Sequence, residues 1–188
     1  MDAHFGFDAS AAHAGLSTWL EELIRWNKRI DLTAARNGAE LADLMLADAY
    51  VLAKALPKDA NVVDIGSGAG APGLPLALLR PDLKMLLVEP LGKRVSFLRN
   101  AIAACGREDI LLVGERGEAT RDRGKRFDIA ISRATLAPAE WLALGRELIL
   151  ENGTVWVLLA KLEEPGTPLE QIDYTWPMTG VARHALRY

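Results

Sequence analysis

The sequence predicts a doubly wound α/β fold: a mainly parallel sheet with helices on both faces, preceded by an N-terminal helical extension. Two observations predict it. From Asn61 onward, short apolar runs alternate with helical stretches, the pattern of repeated βα units. The first of those runs empties into a glycine-rich turn that leads directly into a helix. At 188 residues there is room for one such domain plus an extension, and we divide the chain at 1–57 and 58–188.

The elements follow in order. From Ala11 to about Leu56 the pattern is helical, with Leu16, Trp19, Leu20, Leu23, Ile24 and Ile30 forming one apolar stripe. A second helix carries Leu41, Leu44, Met45, Val51 and Leu52. Asn37 and Gly38 break the chain before it, and Pro57 closes it. Strands are expected at 61–65 (NVVDI), 84–89 (KMLLVE), 110–113 (ILLV), 127–131 (FDIAI) and 154–160 (TVWVLLA). Helices are expected through Leu74–Leu79, over GKRVSFLRNAIAAC and over PAEWLALGRELIL, with Asn152-Gly153 ending the last. Segments near 171–176 and 181–187 read as two antiparallel closing strands. Most of the five tryptophans fall at core positions, and Trp26 is placed to pack the N-terminal helices onto the sheet.

Composition narrows the function classes. Half the residues are hydrophobic, a quarter are charged, and no apolar run reaches the ~20 residues of a membrane span. The N-terminus lacks the basic start and apolar core of a secretory signal, so a cytoplasmic protein is expected. The single cysteine, Cys105, excludes an internal disulfide and a cysteine-rich zinc site; it reads as a small core side chain, and no metal is expected. A net charge of -3 argues against indiscriminate nucleic-acid binding. Charge is uneven, however: Arg116, Arg121, Arg123, Lys125 and Arg126 cluster with only Glu118 and Asp122 against them, either a solvated loop or a phosphate-contacting patch.

The glycine turn carries the chemistry. Asp64-Ile65-Gly66-Ser67-Gly68-Ala69-Gly70-Ala71-Pro72-Gly73 lies where open α/β sheets bind nucleotide-like ligands. Glu89 ends the second strand, where a carboxylate can accept both hydrogen bonds of an adenosine ribose diol. A dinucleotide site also has an acid there, but it aims a helix N-terminus at a pyrophosphate, and the acidic Asp64 is poorly placed beside one. The Asp-x-Gly-x-Gly-x-Gly pattern instead resembles the first motif of class I methyltransferases, whose cofactor, S-adenosylmethionine, is a sulfonium without phosphate.

Further motifs line up in order. Trp26-Asn27 with Asp31-Leu32-Thr33, Asp48, the 64–73 loop, Leu91-Gly92-Lys93-Arg94-Val95-Ser96-Phe97-Leu98 and Ser132-Arg133-Ala134 together resemble the bacterial 16S ribosomal RNA guanine-N7 methyltransferases, the glucose-inhibited division protein B family. The resemblance spans about residues 19 to 161, with the Arg183-His184 pair as an outlying match. It implies an enzyme that takes S-adenosylmethionine and acts on 16S rRNA of the small ribosomal subunit; a monomer is expected. Carried over position by position, it implies that Asp64, Gly66, Gly68, Gly70 and Ala71 form the cofactor loop and that Glu89 binds the ribose. Gly117-Glu118 would lie near the adenine. Arg133 would lie beside cofactor and target base as the catalytic residue. Lys93, Arg94 and Lys161 would meet the RNA.

Two departures stand out: Met45 occupies a position where the family has histidine, and Leu162 one where it has glycine. They leave open a small-molecule methyltransferase or a weakened RNA- or ribosome-binding relative. Guanine N7 is a neutral lone pair, so its methylation needs alignment and charge stabilisation rather than a base. That suits a chain whose three histidines, His4, His13 and His184, all lie near its ends. The N7 edge is out of reach in an RNA duplex, so a loop or extruded guanine is the expected target. Asp48 falls on the apolar face of its helix, where a buried carboxylate needs a partner. The 116–126 run and Lys161 are expected to rim the cofactor pocket.

Overall fold

The computed structural model describes residues 1–133 and 135–188. Its seven strands form one sheet in the order β3-β2-β1-β4-β5-β7-β6. β1 (Asn61–Ile65), β2 (Lys84–Val88), β3 (Leu111–Val113), β4 (Phe127–Arg133) and β5 (Ile149–Leu159) run parallel. The closing pair, β6 (Glu170–Thr175) and β7 (Ala182–Arg187), is the expected hairpin, and β7 lies antiparallel to β5. Alternation along the strands separates two cores. Val62, Ile129, Ile131 and Trp156 face one side, with α2 (His13–Asn27), α3 (Gly38–Ala55), α4 (Gly73–Leu79) and α5 (Gly92–Ala104). Val63, Ile65, Ala130 and Val155 face the other, against Trp141, Leu144 and Leu148 of α7 (Pro138–Leu148). Both faces are thus covered, as a parallel sheet requires.

The N-terminal helices share the first of these cores with the sheet. Trp19 and Leu23 of α2 are fully buried, and Trp26 meets the Phe97 ring of α5 edge-on, with centroids 5.9 Å apart. Asn27 ends α2 by accepting the Leu32 and Thr33 amides at 2.8 and 3.1 Å, which ties the two halves of the Trp-Asn…Leu-Thr motif into one turn. Asn37 caps α3 through its bond from the Glu40 amide. The first residues also order: α1 (Asp2–Phe5) docks on α3 through the Tyr50 hydroxyl, which donates to Asp2 at 2.7 Å.

One boundary differs from expectation. The helix before β5 stops at Leu148, not at Asn152-Gly153, and Ile149 and Leu150 are strand. Ile149 pairs with Phe127, and the register then shifts so that Thr154 meets Ile129. Gly153 sits in this irregularity; a methyl group there would lie 2.9 Å from the Asp128 carbonyl. The glycine marks a bulge within the strand instead of a helix end.

The hairpin is held from α3. Asp43, wholly buried, accepts the amides of Met178 and Thr179 and the Thr179 hydroxyl, at 2.8 to 3.1 Å. Hydrogen bonds to a charged group contribute about 1.5–3 kcal/mol each, so Asp43→Ala should cost at least 2 kcal/mol in urea unfolding. A variant as stable as the parent would mean the hairpin stands without this anchor.

Candidate active site

β1 lies between β2 and β4, so the connections at their carboxyl ends part in opposite directions and open a crevice. The loop after β1 forms its floor. Gly66 and Ser67 both donate their amides to the Val88 carbonyl, at 2.8 and 3.0 Å. The Ser67 hydroxyl donates to the Asp64 carbonyl and accepts the Val88 amide, so the loop is sewn to the end of β2. Gly66 and Gly68 have φ of 74° and 58°, a region other residues rarely adopt. The side of Gly68 where a Cβ would stand is open, its nearest atom lying 3.8 Å away. The far end of the loop is held by Trp19, whose indole N–H donates to the Ala69 carbonyl at 3.1 Å.

Glu89 joins this loop to the next helix. It is 2 % exposed; Oε2 accepts the Gly68 amide and Oε1 the Leu91 amide, both at 2.8 Å. Each oxygen keeps a second lone pair, which is what a ribose diol would need. Thr135 closes the other side. A methyl group on Gly66 would lie 2.2 Å from its hydroxyl, which donates to the Ile65 carbonyl at 3.2 Å. Sequence reasoning missed Thr135, although it stands next to the Ser132-Arg133-Ala134 motif; Ala134 itself lies outside the described residues.

The remaining loop residues turn inward. Asp64 is fully buried beneath the loop, and its Oδ2 accepts the Gly73 amide at 3.2 Å. The carboxylate therefore occupies the start of α4, the place where a dinucleotide fold seats a pyrophosphate. Oδ1 has no partner among the described residues, and burial pushes the pKa up to about 7. Gly70 packs on Leu74 and Leu98, and Ala71 is buried in the core, so both shape the loop from below. Gly117 lies buried against Ile65 at the start of α6 (Gly117–Asp122), with Glu118 exposed beside it.

Arg133 ends β4 and reaches across to α3. Its Nη1 donates to Asp48 at 3.1 Å and to the Leu44 carbonyl; among the described residues, Nε and Nη2 donate to nothing. Asp48 also accepts the Tyr174 hydroxyl at 2.7 Å, so the buried carboxylate has partners on both oxygens. Around this group lies a cavity of about 150 Å³, lined also by Leu158, Trp176 and Arg183, at the carboxyl ends of β4, β5 and β6. Lys93 and Lys161 are exposed and Arg94 partly so, and none has an ion pair among the described residues.

The basic run does not rim this pocket as a whole. Only Arg116 to Glu118 lie at the strands' carboxyl ends; α6 then runs back, and Arg123 to Arg126 lead into the amino end of β4. Arg121 pairs with Asp122 and Glu147, and Arg123 with Glu115, so their charge is internally compensated. Met45 is 3 % exposed in the apolar core, which receives it as it would any large apolar side chain.

The family model described as rRNA small subunit methyltransferase G, GidB, matches residues 12–183. The chain belongs to this family. It is 34 % identical to the ribosomal RNA small subunit methyltransferase G of Anaeromyxobacter dehalogenans, covering 95 % of this chain and 88 % of that protein. It is 31 % identical to that of Chromobacterium violaceum, over 92 % and 86 %. Among solved structures, a precorrin-6y C5,15-methyltransferase from Geobacter metallireducens superposes with a TM-score of 0.57 over 84 % of this chain and 90 % of that one, at 13 % identity. The ribosomal protein L11 methylase of Lactobacillus delbrueckii gives 0.54, over 74 % and 75 %, at 16 % identity. These two likenesses carry the fold, that of class I methyltransferases.

Asp64 should be visible in the pH dependence of stability. Between about pH 4 and 7 the folded chain keeps a proton there that the unfolded chain has lost, so this group's contribution falls as pH rises through that window and is level above it. Asp64→Asn keeps an oxygen for the Gly73 amide and removes the titration. Denaturant unfolding at pH 5 and pH 8 should show the parent losing on the order of a few kcal/mol relative to the variant. Parallel pH profiles would mean the carboxyl is ionised throughout.

Proposed function

We propose that the chain transfers the methyl group of S-adenosylmethionine to N7 of a guanine in 16S rRNA of the small ribosomal subunit. The observation that carries this reading is the Glu89–Gly68 arrangement in a chain of this family: a buried carboxylate with free lone pairs beside an open glycine turn. The helix start where a phosphate would bind is already taken by Asp64, which favours a phosphate-free cationic cofactor over a dinucleotide. S-adenosylmethionine supplies an electrophilic methyl group on a sulfonium.

The residues then divide the work. Gly66 and Gly68 let the cofactor approach the backbone closely, with Gly70 and Ala71 holding the turn's shape and Asp64 anchoring its exit. Glu89 receives the ribose hydroxyls, and Gly117-Glu118 border the adenine. The free Nε–H and Nη2–H of Arg133 hold an acceptor edge of the guanine so that N7 lies in line for attack. N7 needs no deprotonation, so neither a base nor a metal is required. As methyl transfer proceeds the base becomes cationic, and a lone guanidinium beside it would oppose that. Asp48 compensates the guanidinium, leaving a donor fork with little net charge. Lys93, Arg94 and Lys161 meet RNA phosphates. In this reading residues 58–188 carry the chemistry, residues 1–57 brace them, and the enzyme works as a cytoplasmic monomer.

The test is tritiated methyl transfer to small ribosomal subunits from a strain lacking the protein. N7-methylguanosine is the expected product, with the rate falling as salt rises. Arg133→Ala should lower the rate at least a hundredfold, the scale of losing a positioned donor, without a matching fall in Tm. Methylation of a small metabolite with none of RNA at low salt, or methylation at another base atom, would contradict the proposal.

A further inference from the structure

The tyrosine of the closing hairpin places its hydroxyl on the carboxylate that holds Arg133 at the proposed reacting centre. Tyr174 lies near the end of β6, more than a hundred residues along the chain from Asp48. Its hydroxyl donates to Asp48 Oδ1 at 2.7 Å, while Arg133 donates to Oδ2 of the same carboxylate at 3.1 Å. Asp48 is 3 % exposed, so water does not replace either donor freely. The carboxylate of a buried aspartate can rotate about its Cβ–Cγ bond, and a second donor on the other oxygen fixes that rotation. Arg133 has one further protein partner, the Leu44 carbonyl on α3, and both its bonds use Nη1. Among the described residues, the hydrogen bonds that direct the unengaged Nε and Nη2 are these two, to the Leu44 carbonyl and to the Asp48 carboxylate.

We propose that Tyr174 is a positioning residue for methyl transfer: through Asp48 it fixes the plane in which Arg133 presents its free N–H groups to the base. The inference rests on the reading of Arg133 given above. It also gives the closing hairpin a task. β6 and β7 stand at the sheet edge beyond β5, far from the glycine loop in strand order. Yet α3 grips their turn through Asp43 and their tyrosine through Asp48, which lie on one helix. The C-terminal hairpin is thereby coupled to the end of β4 by way of the N-terminal helices.

Tyr174→Phe removes the hydroxyl and keeps the ring. In the subunit methylation assay kcat should fall about tenfold, with KM for subunits and affinity for S-adenosylmethionine within twofold of the parent. In the Arg133→Ala background the same change should have no further effect on kcat, because the residue it acts through is gone. Thr179→Ala, which loosens the same hairpin at Asp43 without touching Asp48, is the control: it should lower Tm and leave kcat unchanged. A Tyr174→Phe enzyme with normal kcat would overturn the inference. So would an undiminished tenfold loss in the Arg133→Ala background, or a kcat loss of equal size in Thr179→Ala. If the parent itself fails to methylate subunits while binding the cofactor, the proposed function fails and not this coupling.

Discussion

A carboxylate buried away from water must be given donors, and much of this molecule is arranged by that requirement. Five of the 25 acidic residues are buried: Glu22, Asp43, Asp48, Asp64 and Glu89. Each joins parts of the chain that no strand pairing joins. Glu22 on α2 accepts from Asn100 on α5; Asp43 holds the turn of the closing hairpin; Asp64 holds the start of α4. Glu89 binds the glycine loop to the chain entering α5, and Asp48 brings Arg133 and Tyr174 together. The last three surround the crevice where β1 and β4 part.

The same constraint reconciles an acidic chain with an RNA substrate. Net charge counts acids wherever they are, but a buried carboxylate bonded to an amide or a guanidinium presents little to an approaching phosphate. The cations at the carboxyl ends of the strands, Lys93, Arg94 and Lys161, have no such partners among the described residues. A small excess of acid overall thus coexists with exposed, unpaired cations at that end of the sheet, where Glu118 is the exposed acid beside Arg116.

Periodicity made the fold legible. Alternating βα runs located the five parallel strands, the weaker signal after Pro168 located the closing hairpin, and the glycine turn with Glu89 located the crevice. What the sequence hid was side-chain direction. Asp64, Gly70 and Ala71 belong to the motif, yet they lie under the loop: Asp64 is still in β1 and bonded to the Gly73 amide, and Gly70 and Ala71 pack on the core as the chain enters α4. The cationic run 116–126 looked continuous, but α6 turns its second half back toward the amino end of β4, and ion pairs compensate Arg121 and Arg123. Asp48 was visible as a polar residue on an apolar helix face, but its partners were not, since Arg133 and Tyr174 are brought to it only by the sheet order. Thr135 and Asp43 carried no signal: a threonine after a strand and an aspartate in a helix are commonplace, and only the close approach of Gly66 and the hairpin turn give them roles.

The central claim is that Glu89 and the glycine loop form one cofactor site, and calorimetry of S-adenosylmethionine binding tests it most directly. Glu89→Ala should weaken binding by about 1.5–3 kcal/mol, the scale of hydrogen bonds to a charged group, in a variant whose circular dichroism matches the parent. NAD should bind neither protein detectably. Unchanged affinity in the folded variant, or NAD binding as tight as that of S-adenosylmethionine in the parent, would contradict the account.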